Sequence, residues 1–235
     1  MILQKQNKTK LHNIKLPADA PEDQTQFLRD YYRLSVFFEG AMNEVATKLE
    51  TLDNEFHTMY DHNPIHHMEC RIKSLESIIG KLRRRGLAIT TQNIFSEIQD
   101  FAGIRVICNY LDDITYLCNV IERHHCFKVI KKKDYISNPK PNGYRSLHLI
   151  VEISVAVSSA ELSLPVEIQL RTIAMDMWAS LEHEMNYKSN KQLSDDDRQI
   201  LMHCANELNS LEGKMQSIYQ QVSQTSPDPT RFFVD

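Results

Sequence analysis

Between residues 101 and 171 the sequence reads as four short β-patterned runs interrupted by a single helical one, and no other feature constrains the fold as strongly. "FAGIRVICNY" is apolar and rich in β-branched residues. "LDDITYLCNVIERHH" follows with helical periodicity, and Asp112 or Asp113 is a plausible N-cap. "FKVIKKKDY", "GYRSLHLIVEISV" and "LSLPVEIQLR" then succeed one another with no helix between them. "TIAMDMWASLEHEMNYK" closes the series as a helix, with Ile173, Met177, Leu181 and Met185 on one stripe. The expected class is α/β or α+β: a small, mixed, partly antiparallel sheet of about five strands flanked by helices.

Long helical patterns bracket this region. From about Asp23 to Tyr60 apolar residues recur at spacings of three and four, through Leu34, Phe37, Phe38, Met42, Val45, Leu49 and Leu52. "HNP" at 62–64 breaks the pattern, and a second helix is expected from about Ile65 to Arg85, stopping at Gly86. After "SNKQLSDDD" a terminal helix runs to about Val222, in a segment taken as 191–222. Residues 1–22 and 223–235 read as tails. The outer helices exceed what a small sheet needs for cover, and surplus helix surface of this kind forms either a subunit interface or an intramolecular helical layer.

Composition narrows the class. The chain has 235 residues, 42% hydrophobic and 25% charged, as in soluble globular proteins. No apolar run approaches the roughly 20 residues of a membrane span, and "MILQKQNKTK" lacks the apolar centre of a signal peptide. The expected location is the cytoplasm. Five cysteines without C-x-x-C spacing indicate neither a disulfide framework nor a zinc ribbon, and Cys108 falls in a core pattern. A net charge of −4 argues against general nucleic-acid binding, so any anion site must be a local basic cluster.

Four segments carry residues that could do chemistry. Alternation in "VEIQLR" puts Val166, Ile168 and Leu170 on one face and Glu167, Gln169 and Arg171 on the other. In isolation that polar face is a solvated one; on a cleft wall, Glu167 could bind Mg²⁺ or act as a base. In "QDFAGIRV", Asp100 stands at the entrance of a strand with Gly103 and Arg105 behind it. One Asp and one Glu on neighbouring strands suit Mg²⁺, which takes few carboxylates and leaves positions for phosphate oxygens.

In "ECRIKSLESIIGKLRRRG" a helical reading buries Ile72, Leu75, Ile78, Ile79 and Leu82 and aligns Lys73, Ser77, Lys81 and Arg84 opposite, with Arg71 at the margin. A hydroxyl in line with cations suits a polyphosphate. In "KKKDYISNPKPNGYRSLHLI", Lys131, Lys132, Lys133 and Lys140 surround a stiff loop. Tyr144, Ser146 and His148 then share a strand face opposite Leu147 and Leu149. A ring at a loop edge can stack a purine base. His62, His66 and His67 cluster without a supporting Cys or carboxylate pattern. No P-loop or dinucleotide-fold glycine signature is present.

Taken together, "RIKSLESIIGKL", "DFAGIRVIC", "KDYISNPKPNGYRSLHLIV", "VEIQLRT" and "MDMWASLEHEMNYK" resemble, in this order, the synthetase motifs of the RelA/SpoT homologue family, over about residues 62–190. The short length resembles the small alarmone synthetases. The resemblance implies a nucleotidyltransferase-like fold and transfer of the β,γ-pyrophosphate of ATP to the 3′-hydroxyl of GDP or GTP, with Mg²⁺. It also implies a homotetramer built through the terminal helices.

By the same resemblance Asp100 would ligand Mg²⁺, and Glu167 would activate the 3′-hydroxyl and touch the metal as well. Arg71 and Arg105 would sandwich the adenine, and Lys73, Ser77, Lys81 and Arg84 would hold the ATP phosphates. Tyr144 would stack on guanine, Lys140 and His148 would meet acceptor phosphates, and Gln169, Asp176 and Glu182 would lie near the acceptor base or ribose. Phe101 stands where the family has an aliphatic residue. In some small synthetases the central cleft of the tetramer binds pppGpp or single-stranded RNA. Here Glu69 adds a carboxylate before Arg71, which disfavours an anion there. Two other readings remain at this point: a nucleotidyltransferase that releases pyrophosphate, and a non-catalytic nucleotide- or RNA-binding regulator.

Overall fold

The computed structural model of the chain describes residues 2–3, 24–158, 160–188 and 193–222. Among these the strands form one sheet in the order β1-β2-β3-β6-β5-β4. Five strands make its body: β2 (Ile65–Ile72), β3 (Ala102–Cys108), β4 (Lys128–Asp134), β5 (Leu147–Val157) and β6 (Ala160–Thr172). The two residues Ile2–Leu3, β1, add a parallel edge to β2, so this part of the expected N-terminal tail pairs with the sheet. The rest of that tail, and the expected C-terminal tail, lie outside the described residues.

The sheet is mixed because of its connections. β3 runs parallel to β6, with α4 (Leu111–Arg123) leading out of β3, while β4, β5 and β6 are successive antiparallel neighbours. Tyr110 precedes α4, and Asp113 accepts its backbone N–H at 2.9 Å from within the first turn, so neither aspartate is itself the cap residue. The 36-residue α1 (Gln24–Met59) packs across β2, β3, β5 and β6. Its stripe of Phe38, Val45 and Leu49 is fully buried against Ile104, Val106, Leu149, Val166 and Ile168. α4 joins the same core through Ile114, Leu117 and Ile121.

Two helical expectations change. Residues 65–72 form β2, antiparallel to β3, and the helix α2 spans only Leu75–Arg84. Met68 and Cys70 are buried while Glu69 and Arg71 stand between and beyond them, a period of two hidden inside a longer charged run. Ser74 marks the true helix start, its hydroxyl accepting from Ser77 N–H at 3.3 Å. Gly86, in the left-handed region at φ 68°, ends it. A short α3 (Thr91–Glu97) follows. The second change concerns α5 (Ile173–Lys188): Ile173, Met177, Leu181 and Met185 are exposed, and its inward face is instead Met175, Trp178 and Ala179. Trp178 donates its indole N–H to Leu201 O of α6 (Asp195–Val222) at 2.9 Å.

Candidate active site

The sheet face opposite α1 carries the polar residues, and strand register sets them in rows. Arg71 of β2 lies beside Gly103 of β3, and Gly103 beside Glu167 of β6; one step along, Glu69, Arg105, Gln169 and His148 form the next row. Gly103, without a side chain, leaves a gap between Arg71 and Glu167. The cleft that results is open to solvent and is lined by Arg71, Lys73, Asp100, Gly103, Arg105, Glu167 and Gln169.

At one end, Asp100 precedes β3 and receives two ammonium groups: Lys73 Nζ at 2.8 Å and Lys81 Nζ at 2.7 Å. Burial pushes the Asp100 carboxyl up, but the charges and hydrogen bonds of Lys73 and Lys81 outweigh it and hold its pKa at about 2. The expected basic line therefore breaks up. Lys73 sits in the β2–α2 turn and Lys81 on α2, and they meet at Asp100. Ser77 is occupied near the cap, accepting from the Ser74 hydroxyl at 3.0 Å. Arg84 is exposed at the far end of α2 and does not line the cleft. Arg71 and Arg105 face the cleft from adjoining strands, and Arg105 also meets Glu69 at 3.5 Å. Glu69 therefore stands against an arginine of this cleft.

At the other end, Glu167 is buried yet ionised. Burial pushes its carboxyl up, but hydrogen bonds from His148 and Gln169 and the His148 charge lower its pKa below the ordinary carboxylate value. His148 Nδ1 lies 2.9 Å from Oε1, and Gln169 Nε2 donates to Oε2 at 2.6 Å. His148 Nε2 lies 2.9 Å from the Tyr144 hydroxyl, so both its ring nitrogens are engaged inside the protein. Tyr144 comes from the turn before β5, not from the strand as expected, and Ser146 points inward to Leu170 O.

Lys140 stands over the Tyr144 ring at 4.4 Å and the Tyr135 ring at 4.7 Å. Lys131, Lys132 and Lys133 belong to β4, and Lys132 pairs with Glu122. Asp176 meets Arg171 at 3.0 Å, and Glu182 accepts from Asn142 at 3.2 Å.

Sequence reasoning missed two participants. Arg171 was visible on the polar face of "VEIQLR" but was given no role; it is buried, and donates to Tyr144, Gln169 and Asp176. Tyr135, at the end of the lysine run, was not singled out. The histidines of the 62–67 segment do not converge: His62 pairs with Asp113 at 2.8 Å, whereas His66 and His67 touch only each other in this set, ring nitrogens 2.7 Å apart.

Two ionised carboxylates therefore face one cleft on a mixed sheet, Asp100 beneath two lysines and Glu167 held by His148 and Gln169. A sequence profile for the region found in RelA/SpoT proteins matches residues 70–192. The chain is 41% identical to the GTP pyrophosphokinase YwaC of Bacillus subtilis over 86% of its own length and 96% of the relative's. Its fold is similar to two crystal structures of small alarmone synthetase 1 from Bacillus subtilis. One, bound to its product pppGpp, has a TM-score of 0.78 and 32% identity over 83% of this chain and 100% of that one. The other, bound to AMPCPP, has a TM-score of 0.72 and 29% identity over 84% and 100%. The chain belongs to the RelA/SpoT family.

Proposed function

We infer that the chain is a (p)ppGpp synthetase, a GTP pyrophosphokinase that moves the β,γ-pyrophosphate of ATP to the 3′-hydroxyl of GDP or GTP. The observation that carries this reading is the shared cleft of Asp100 and Glu167, flanked by Lys73 and Lys81 on one side and by Tyr144, Lys140 and His148 on the other. Likeness to a GTP pyrophosphokinase and to synthetase structures holding a guanosine product or an ATP analogue supports it.

In this reading Arg71 and Arg105 take the adenine between them. Lys73 and Lys81 leave Asp100 for the phosphates of ATP, which Ser77 and Arg84 also hold once their side chains turn toward the cleft. Asp100 and Glu167 offer hard carboxylate oxygens in a cleft with room for phosphate oxygens, a donor set that fits Mg²⁺. Mg²⁺ held there supplies positive charge to the transferring phosphates. Glu167, ionised and fixed, accepts the proton of the acceptor 3′-hydroxyl as its oxygen bonds to the β-phosphorus. The bridge between α- and β-phosphates breaks and AMP leaves. Phosphoryl chemistry of this kind asks for alignment and charge more than covalent help. Guanine lies on Tyr144 once Lys140 moves to the acceptor phosphates. Gln169, Asp176 and Glu182 border the acceptor, while His148, held between Tyr144 and Glu167, acts through Glu167.

The apolar faces left open on α5 and α6, with Met177 and Leu181 on the first and Leu211, Met215 and Ile218 on the second, support assembly into a homotetramer. The cytoplasm suits the substrates, and among the described residues no helix is long and apolar enough to cross a membrane.

The test is one incubation with ATP, GDP or GTP, and Mg²⁺, followed by separation of the nucleotides. AMP and a guanosine 3′-pyrophosphate are expected. Release of pyrophosphate with nucleotide transfer would move the protein to the nucleotidyltransferases, and turnover that survives Asp100→Asn and Glu167→Gln would remove both carboxylates from the mechanism.

A further inference from the structure

Both oxygens of Glu167 lead back to the same buried cation. One route runs from Oε1 to His148 Nδ1 at 2.9 Å, from His148 Nε2 to the Tyr144 hydroxyl at 2.9 Å, and from that hydroxyl to Arg171 Nη2 at 2.8 Å. The other runs from Oε2 to Gln169 Nε2 at 2.6 Å, and from Gln169 Oε1 to the same Arg171 Nη2 at 2.9 Å. The five side chains close a ring.

Most of its hydrogen-bond directions follow from chemistry. A guanidinium only donates and a carboxylate only accepts, so the Tyr144 oxygen accepts from Arg171 and His148 Nδ1 donates to Glu167, while the direction between His148 Nε2 and the Tyr144 hydroxyl depends on the imidazole tautomer. Gln169 is oriented in the same way, its carbonyl toward Arg171 and its amide N–H toward Glu167. Asp176, 3.0 Å from Arg171 Nη1, holds the guanidinium from the α5 side. The face of Tyr144 is fixed by the same contact, with the Arg171 guanidinium carbon 5.2 Å from the ring centre.

We propose that Arg171 is a positioning residue for the reaction: by closing this ring it sets together the aim of the Glu167 carboxylate and the tilt of the Tyr144 ring. The inference rests on the reading of Glu167 as the base and Tyr144 as the guanine platform. It adds that these two are one unit, and that the tyrosine hydroxyl matters as well as its ring. A tyrosine that only stacks would serve equally well as phenylalanine.

Tyr144→Phe keeps the stacking surface and removes one link; Arg171→Lys keeps the charge and removes the fork that reaches two partners at once. The expected result for each is a melting temperature near that of the parent chain, a fall in kcat of roughly tenfold for Tyr144→Phe and more for Arg171→Lys, a raised KM for GDP, and an unchanged KM for ATP. GDP affinity measured by calorimetry without ATP weakens in parallel. Because Arg171→Lys already breaks the route through Tyr144, the double variant is no slower than Arg171→Lys alone.

Parental kinetics and GDP affinity in Tyr144→Phe would overturn the proposal, as would multiplying effects in the double variant or an equal rise in both KM values. If Arg171→Lys does not fold, Tyr144→Phe alone decides. The underlying reading fails separately, through full activity of Glu167→Gln or a different product, and the calorimetric GDP measurement does not depend on that outcome.

Discussion

Asp100 and Phe101 are neighbours with opposite duties. Asp100 is ionised between two lysines, its pKa lowered from 3.8 to about 2. A depressed carboxylate contributes stability that is present above pH 4 and lost as pH falls through 2, here about 2 kcal/mol. Asp100→Asn should therefore lower the urea midpoint at pH 6 and flatten its fall between pH 4 and pH 2; an unaltered acid profile would show that the lysines do not hold the charge. Phe101 is fully buried and stacks on Phe38 with ring centres 4.4 Å apart. Phe101→Leu should cost about 1–2 kcal/mol, and a double-mutant cycle with Phe38→Leu should reveal coupling between the rings. Additive losses would mean the stacking contributes nothing of its own.

The turn before β5 is bound to α6, and this decides where Tyr144 stands. Gly143 has φ 90°, a conformation side chains rarely adopt, and an added Cβ would lie 2.7 Å from the Ala205 methyl. Arg145 meets Asn209 and Glu212 of the same helix, and Thr172 at the end of β6 donates to Glu212. Gly143→Ala should destabilise the chain by about 1–3 kcal/mol and raise the KM for GDP more than that for ATP, since the loop must withdraw from α6. Equal changes in both KM values would mean the loop position does not govern the acceptor. The element most at odds with its sequence is β2: eight residues that count as helix when joined to "LESIIGKL" become strand because β3 offers them a hydrogen-bonding edge. Strand pairing is a non-local bond, and no window of sequence contains its partner.

At the scale of the molecule, one sheet face is sealed by α1 and the other holds the cleft, and the helices beyond it leave apolar residues uncovered. On α5 the exposed stripe of Ile173, Met177, Leu181 and Met185 matches the periodicity seen in the sequence, yet it faces away from the chain's own core. If the proposed homotetramer uses this stripe, Met177→Glu with Leu181→Glu should lower the mass seen in light scattering while the far-ultraviolet circular dichroism is retained; an unchanged mass would remove the stripe from any subunit contact.

The order of elements in the 101–171 region, the burial of Cys108 and the polar parity of Glu167, Gln169 and Arg171 were all present in the sequence, because strand alternation and helix periodicity are local consequences of backbone geometry. So was the chemical inventory of the site: an Asp and a Glu on separate strands, lysines in two clusters, and an aromatic ring beside a basic loop. Tertiary structure alone decided how they combine. It brought Lys73 and Lys81 onto Asp100 from different elements, left Arg84 outside, turned the α5 stripe outward and joined Arg171 to Glu167 by two routes. Each of these depends on distances across the sheet between residues far apart in sequence, and such distances are fixed only when β2, β3, β6 and β5 take their register.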